Sequence, residues 1–297
     1  MSEELKRVEK IRNGERPSLS FSKPLEGAKL RVLSLGAGVQ SSVLALMAAK
    51  GEIGPRPDYA IFADTQWEPK EVYDHLDWLE SVVSNPLRVE HPFPIIRVSK
   101  GNIREDSLNG RIQIPAFAKG AGMSSRQCTR DYKIDPVTKK IRELIGLKYR
   151  QHAPKTPVVE QWLGISTDEV QRMKESRDKF IENRWPLIEE GMSRRDCLAW
   201  FARHYPERTL AKSACIGCPF HTNEEWRRIR DTDPVSWQDA VEFDKAIRSK
   251  GTLKGMNNQQ YSHRSCVPLD EVDLSTAADK GQVEFGFQEE CEGMCGI

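Results

Sequence analysis

The chain has almost no net charge, no long apolar run and no even set of cysteines, and each shortage removes a class of protein. Its formal net charge is +1, with 45 Lys and Arg against 44 Asp and Glu. A whole-molecule field that would draw it to nucleic acid or an acidic surface is therefore missing, and only local clusters can do so. No stretch approaches the roughly 18 apolar residues of a membrane span, so no membrane partner is expected. The seven cysteines are odd in number and scattered, a poor disulfide framework. The opening MSEELKRVEKIRNGERPSLS is charged and lacks an apolar stretch, unlike a secretory leader. The expectation is a cytoplasmic protein, where clustered thiols serve metal binding or catalysis. Internal repeats and low-complexity blocks are also missing. At 297 residues, 38% hydrophobic and 30% charged, the chain can bury one sizeable core plus an appended region.

What is present reads as an alternating pattern. LRVLSL, Gly36 and Gly38, and the apolar-periodic Ser41–Ala49 predict strand, glycine turn and helix. YAIFAD is a second buried strand, and a helix opens at Pro69, a favoured first-turn residue. PIIRVS and VVEQWLGIS are third and fourth strands. Strands alternating with helices predict an α/β, Rossmann-like parallel sheet with helices on both faces, whose ligands lie at the carboxyl ends of the strands. A loop at about 101–130, rich in Gly and Ser, is of a length usually functional. Further on, SRRDCLAWFARHY is a short helix capped by Ser193, and DPVSWQDAVEFDKAIRSKG is another, ended by Gly251. The expected organisation is an arm at 1–27, a nucleotide-binding domain at 28–190, and a cysteine-rich, mostly helical metal-binding region at 191–297.

The first turn is the main candidate site. In SLGAGVQSSVL, Ser34, Gly36, Ala37, Gly38, Val39, Gln40, Ser41 and Ser42 pass from strand to helix. Glycines let backbone N–H groups approach phosphate oxygens, the helix N-terminus adds unpaired donors, and the Ser41 and Ser42 hydroxyls can add two more. A glycine turn kept for packing alone is the alternative.

This segment resembles the PP-loop of the adenine-nucleotide α-hydrolase superfamily, with Gly36 to Ser41 on the positions of its SGGxDS motif. Four further segments follow in order. FADTQWEP resembles the family's second strand tip, with Asp64, Thr65 and Glu68 there. RQCTRDYKIDP resembles the cysteine–lysine–proline segment of sulfonucleotide reductases, and GISTDEVQR, from Gly164, the later strand-tip motif. KSACIGCPF resembles the downstream CxxC of the iron–sulfur members. The resemblance, to the phosphoadenosine phosphosulfate reductase-like family, covers about residues 30–220. It implies a PP-loop fold and binding of ATP or an adenosine phosphosulfate-type nucleotide at the first turn, Asp64, Thr65 and Gly164. It also implies roles in catalysis for Lys133 and Glu169. Gln40 stands where PP-loop pyrophosphatases usually carry an Asp that helps hold magnesium, and Gln is a poor ligand for a hard cation. If ATP is cleaved, Mg2+ then falls to Asp64, Asp168 or Glu169.

Cys215 and Cys218 form a CxxC turn able to present two thiolates to one metal; a redox dithiol or two buried thiols is the alternative. Cys128 lies 87 residues upstream, a separation similar to that in iron–sulfur sulfonucleotide reductases, although those carry a tandem Cys-Cys where this chain has Cys128 and Thr129. The resemblance implies a 4Fe–4S cluster on Cys128, Cys215 and Cys218, with zinc as the alternative. The fourth ligand is left among Cys266, Cys291 and Cys295. The tail ECEGMCG partly matches the E-C-G context of the reductases' nucleophile, which makes Cys291 and Cys295 candidate catalytic thiols. Cys197, beside Leu198 and Trp200 in a helix, reads as core. Lys119, Arg126, Arg130 and Lys133 form a basic loop that can clamp phosphates or steer a nucleic acid, or is simply solvated. Trp67 can stack on adenine or cap the core. His263, beside Arg264 and Cys266, is the most suspicious of His204, His221 and His263.

Three functions fit. The first is ATP-dependent sulfur transfer to a nucleobase or other acceptor, with RNA or DNA among the acceptors and a separate sulfur donor; Ser166 and Thr167, where sulfonucleotide reductases usually carry arginines, favour it. The second is a sulfonucleotide reductase with a thiol reductant as partner, favoured by Gln40 and the terminal Glu-Cys. The third is a non-catalytic nucleotide- or nucleic-acid-binding module with a structural metal. A homodimer is a further open expectation.

Overall fold

A computed structural model describes residues 23–124, 126–210, 212–249, 258–276, 279 and 281. Strand β1 (Leu30–Leu35) leads through a three-residue turn into helix α1 (Val39–Ala49), followed by β2 (Tyr59–Asp64), α2 (Lys70–Val83) and β3 (Ile95–Ser99). Next come a short helix α3 (Ile103–Leu108) and two-residue strands β4 (Phe117–Ala118) and β5 (Gly122–Met123). A π-helical turn (Arg130–Ile134) runs into α4 (Asp135–Leu144), and β6 (Val159–Leu163) and β7 (Ile181–Arg184) complete the main sheet. The rest comprises α5 (Pro186–Glu189), α6 (Arg194–His204), α7 (Asn223–Thr232), α8 (Pro234–Ser249) and β8 (Gln260–Tyr261).

The main sheet has five strands in the order β3-β2-β1-β6-β7, and every pairing is parallel. The chain winds outward from β1 to β3, then returns to the other side of β1 as β6. Connections on the two sides of β1 diverge at this point, and the crevice beyond the carboxyl ends of β1 and β6 is where such sheets bind ligands.

Both faces are covered, and the inner strand β2 is accordingly apolar from Tyr59 to Ala63 rather than alternating. Leu33, Leu35 and Phe62 point to one side, where α1, α2 and α6 pack over them. Val32, Ile61 and Ala63 point to the other, against Val137 and Ile141 of α4. All eleven residues of α1 are buried, as befits a helix with little polar surface. Helix α6, with Cys197, Trp200 and Phe201, shares the core of α1. Its start is fixed by a capping box between Ser193 and Asp196.

A third cluster builds on the carboxyl side of the sheet. Trp67, Ile103, Tyr132 and Ile216 join Trp226 and Ile229 of α7, Phe243 of α8, and Leu269, with Cys128 and Cys215 packed against them. The long 101–130 segment is therefore structured. Asn102 caps α3 by accepting from the Glu105 amide, and β4 pairs antiparallel with both β5 and β8.

Candidate functional site at the carboxyl edge of the sheet

The turn after β1 is shaped by one left-handed residue. Ala37 has φ +56, a left-handed conformation costing a non-glycine residue about 1 kcal/mol or more. Gly38 caps α1 with no side-chain hydrogen bond, so the helix start is not stoppered by its own cap residue. Ser41 Oγ accepts from the Gly36 amide at 3.3 Å and lies 3.4 Å from the Gly38 carbonyl. Gly164, just beyond β6, lies against the same helix start: a Cβ there would stand 2.9 Å from Ser41 Cα and N. The glycines thus narrow the crevice between β1 and β6.

Three side chains of the segment face inward. Val39 is buried in the core under the sheet, so only its backbone can serve a ligand. Gln40 is buried and donates from Nε2 to Ser166 Oγ at 3.3 Å and Glu169 Oε2 at 3.1 Å. The hydroxyl expected at Ser42 to meet phosphate is instead bonded to His75 Nε2 at 2.9 Å, with both residues buried. Burial, aided by the Arg208 charge, lowers the His75 pKa to about 4, so the ring is neutral. Glu169, also buried, is paired with Arg172 at 2.5 Å. Ser34 lies in β1, level with Ile61 and Leu163 on either side.

The tip of β2 forms the next wall. Asp64 Oδ1 accepts from the Gln66 amide at 2.7 Å and from the Tyr73 hydroxyl at 2.8 Å. Burial and this carboxylate push the Tyr73 phenol upward, keeping it a donor. Thr65, fully buried, donates to Glu68 Oε1 at 3.3 Å and lies 3.2 Å from Cys215 Sγ. Trp67, the candidate adenine stacker, is a core residue. Its indole donates to Asp239 and packs edge-on against Phe243. Gly217 sits on it so closely that a Cβ would lie 2.2 Å from the ring.

The cysteine segments converge here. Cys128 begins the helical stretch that continues through the π turn into α4. π turns cost hydrogen-bond geometry and concentrate at functional sites, and this one carries Lys133. Lys133 Nζ is 3.6 Å from Glu68 Oε1. The turn bearing Cys215 and Cys218 is seated by the Ile216 amide on the Trp67 carbonyl at 2.8 Å. From behind, His221 Nε2 donates to the Cys215 carbonyl at 3.0 Å. Burial works against the nearby Glu225 carboxylate, but His221 and Lys212 outweigh it and hold its pKa at about 2. Cys128, Cys215 and Cys218 line one small cavity of about 30 Å³, together with Lys133, Arg126 and the apolar Ile103, Ile114 and Phe220. Arg126 lies over the Phe220 ring at 5.1 Å.

The remaining candidates lie elsewhere. Cys266, at φ +53, is not among the residues lining this cavity. Cys291 and Cys295 lie outside the described residues. Cys197 is fully buried in α6, and burial together with Asp168 and Asp196 pushes its thiol up to about 12, in keeping with a core residue. Lys119 and Arg130 are exposed and outside the cavity wall. His263 is buried between Ser265 and Asn223, and His204 is bonded to the Trp200 carbonyl. Among the described residues, no three His, Cys, Asp or Glu side chains already stand in metal-ligating array. Sequence reasoning placed Glu68 at the strand tip but missed His75, which carries no motif spacing and is placed by its tertiary contact with Ser42.

The chain matches no family model, and the search of curated proteins found no match.

Proposed function

We propose that the chain is a PP-loop-type enzyme that binds an adenine nucleotide at the Gly36–Gly38 turn and performs ATP-dependent sulfur transfer to a nucleobase or other acceptor. One observation carries the reading: the Gly36–Gly38 turn and the three-thiol cavity share the carboxyl edge of one parallel sheet, with Thr65 at the tip of β2 touching Cys215 at 3.2 Å.

The placement of Glu169 supports ATP as the nucleotide. Its carboxylate, held by Gln40 and Arg172, lies beside the phosphate turn. A buried carboxylate there can share a divalent cation that arrives with a nucleoside triphosphate. In the proposed reaction the turn amides hold the phosphates while the acceptor's carbonyl oxygen attacks the α-phosphorus and pyrophosphate leaves. A sulfur nucleophile, furnished by a separate donor, then adds to the activated carbon, and AMP departs with the original oxygen. Lys133, next to Glu68 at the cavity, offsets negative charge as the sulfur anion approaches.

The thiol donors fit a thiophilic centre, and Cys128, Cys215 and Cys218 would hold it. When bound, a 4Fe–4S cluster supplies an iron able to bind a soft sulfur anion, whereas zinc supplies a structural or Lewis-acid centre.

A specific arrangement favours a second reading, reduction of a sulfonucleotide. Lys133 and Arg126 share the cavity wall with the thiols and would attract a sulfate group. Pyrophosphate release from ATP, measured with and without RNA or DNA, is expected for the first reading. Sulfite formed from adenosine phosphosulfate with a thiol reductant, and no pyrophosphate, would install the second in its place. Failure to bind any adenine nucleotide by titration calorimetry would remove both.

A further inference from the structure

We infer that the turn at 148–151, which follows α4, is a docking surface for a single-stranded polynucleotide, with Tyr149 as the base-stacking ring and Arg150 as a phosphate contact. The inference rests on the nucleobase acceptor of the proposed function and commits that acceptor to a base within a polynucleotide strand.

Two observations carry it. The first is local charge. Residues 139–155 hold six Lys and Arg and one acid, Glu143, and Glu143 is already paired with Lys140. This short segment carries more net positive charge than the whole chain, whose sum is +1. Lys139, Lys148, Arg150 and Lys155 are exposed, as a surface that draws phosphates requires. The second is the shape of the turn. The Gln151 amide donates to the Lys148 carbonyl at 3.0 Å, and the Gln151 side chain accepts from the Lys148 amide at 2.9 Å. Arg142 Nη2 donates to the Gln151 carbonyl, which ties the turn to α4. The two corner residues are the unusual ones. Arg150 has φ +62, a place where turns normally put glycine or asparagine. Tyr149 is 88% exposed, and the Arg150 guanidinium lies 5.2 Å from the centre of its ring. A turn that only joins α4 to β6 gains nothing from an aromatic ring in water, nor from a long side chain at a left-handed corner. Together they form a braced, cationic platform with one open ring face.

Chemistry and reach select the partner. Unpaired bases stack on exposed aromatic rings whatever their sequence, while neighbouring cations meet the backbone. In a duplex the base faces are already stacked on one another, so a single strand or a loop is what fits. An anionic membrane would meet the same charge, but one lone ring offers lipid little apolar area to bury. From Lys133, at the thiol cavity, the helical run to Leu144 spans roughly 17 Å at an α-helical rise. That equals about five stacked nucleotides at ~3.4 Å each. A strand held at Tyr149 therefore has the length to reach the carboxyl edge of the sheet, whereas a mononucleotide cannot touch both places.

The test uses the full chain and the fluorescence anisotropy of labelled single-stranded RNA and DNA oligonucleotides of mixed sequence, at several salt concentrations. Tyr149→Ala is expected to weaken binding about 5- to 100-fold, and Tyr149→Phe to keep it. Arg150→Gly suits the turn better than arginine does, so a role in the fold alone predicts no loss. The expected result is weaker binding, with the log–log salt slope lowered by about 0.7. Lys70→Gln, on α2 across the sheet from α4, is expected to bind as the unaltered chain does. Preference for RNA or DNA identifies the sugar and upholds the surface. Binding of neither, unchanged binding in Tyr149→Ala, or equal loss in Lys70→Gln would overturn the assignment. So would a Tyr149→Ala chain that releases phosphatidylserine vesicles but keeps its oligonucleotides. A chain that binds ATP by titration calorimetry but no oligonucleotide would overturn it and leave the nucleotide site standing. One that binds oligonucleotide through Tyr149 but no ATP would uphold the turn and sink the proposed function.

Discussion

Gly164 and Ser41 meet backbone to backbone: a methyl group on Gly164 would lie 2.9 Å from both the Cα and the amide nitrogen of Ser41. The flexible end of a side chain could move aside, but a helix start cannot without taking the Gly36–Gly38 turn with it. Gly164→Ala is therefore expected to cost about 1–3 kcal/mol of stability, in the range of other overpacked sites, and to weaken ATP binding at least about tenfold. Urea unfolding and titration calorimetry check the two effects. Unchanged ATP affinity would detach this contact from the site.

Gln40 donates an amide hydrogen to Glu169 at 3.1 Å, and an aspartate in its place would set two carboxylates together in a buried crevice. Gln40→Asp should lose roughly 1–3 kcal/mol without ligand, since like charges at such distances repel and a satisfied donor is removed. A divalent cation between the two carboxylates would reverse the sign. Magnesium with ATP should raise the melting temperature of Gln40→Asp more than that of the unaltered protein. An equal shift in both would show that the cation does not sit at Glu169.

Acid should weaken the fold through His75. Burial, with Arg208 nearby, lowers its pKa from 6.5 to about 4 in the folded chain, so between those values the unfolded chain holds a proton that the folded one does not. Stability is then fully present above about pH 6.5, falls as pH drops toward 4, and levels off below. The loss amounts to at most about 3 kcal/mol. Unfolding free energies measured across this range check it. In His75→Asn, which can keep a hydrogen bond to Ser42, this part of the pH slope should vanish.

The cysteines should divide by location. Anaerobically purified protein is expected to be brown, with broad absorption near ~400 nm if iron–sulfur is bound. Cys218→Ala, at the cavity, should lose the metal, whereas Cys197→Ala, buried in α6, should keep it. Metal analysis decides, and the reverse pattern would refute the ligand assignment.

Much of the sheet was legible because its strands are short apolar runs set between glycines, prolines and periodic helices. β1, β2 and β3 stand within a residue of where LRVLSL, YAIFAD and PIIRVS place them, and β6 covers Val159–Leu163 of VVEQWLGIS, ending three residues early. The edge strand β7 was not foreseen. Its sequence IENR is half polar, and it becomes a strand only by pairing with β6. The small second sheet was equally hidden, since it joins Phe117 to Tyr261 across about half of the chain, a pairing without local signal. The cysteine–lysine segment reads as a loop but is helical from Cys128, because Tyr132 is held in the third core cluster and bonded to Asp106. The glycine motif located the turn, where Ala37 is left-handed. It could not reveal which way Ser42 faces. One helical position separates Ser41, closing the turn, from Ser42, closing the core, and only His75 on α2 decides between them.

The seat of the cysteine turn on Trp67 has mechanical meaning. With the Ile216 amide tied to the Trp67 carbonyl and no clearance for even a methyl at Gly217, the turn cannot tilt independently of the strand end beneath it. An occupant that pulls Cys215 and Cys218 toward itself therefore also tugs on Asp64 and Thr65, so the cavity wall and the strand end move as one body without any hinge between them.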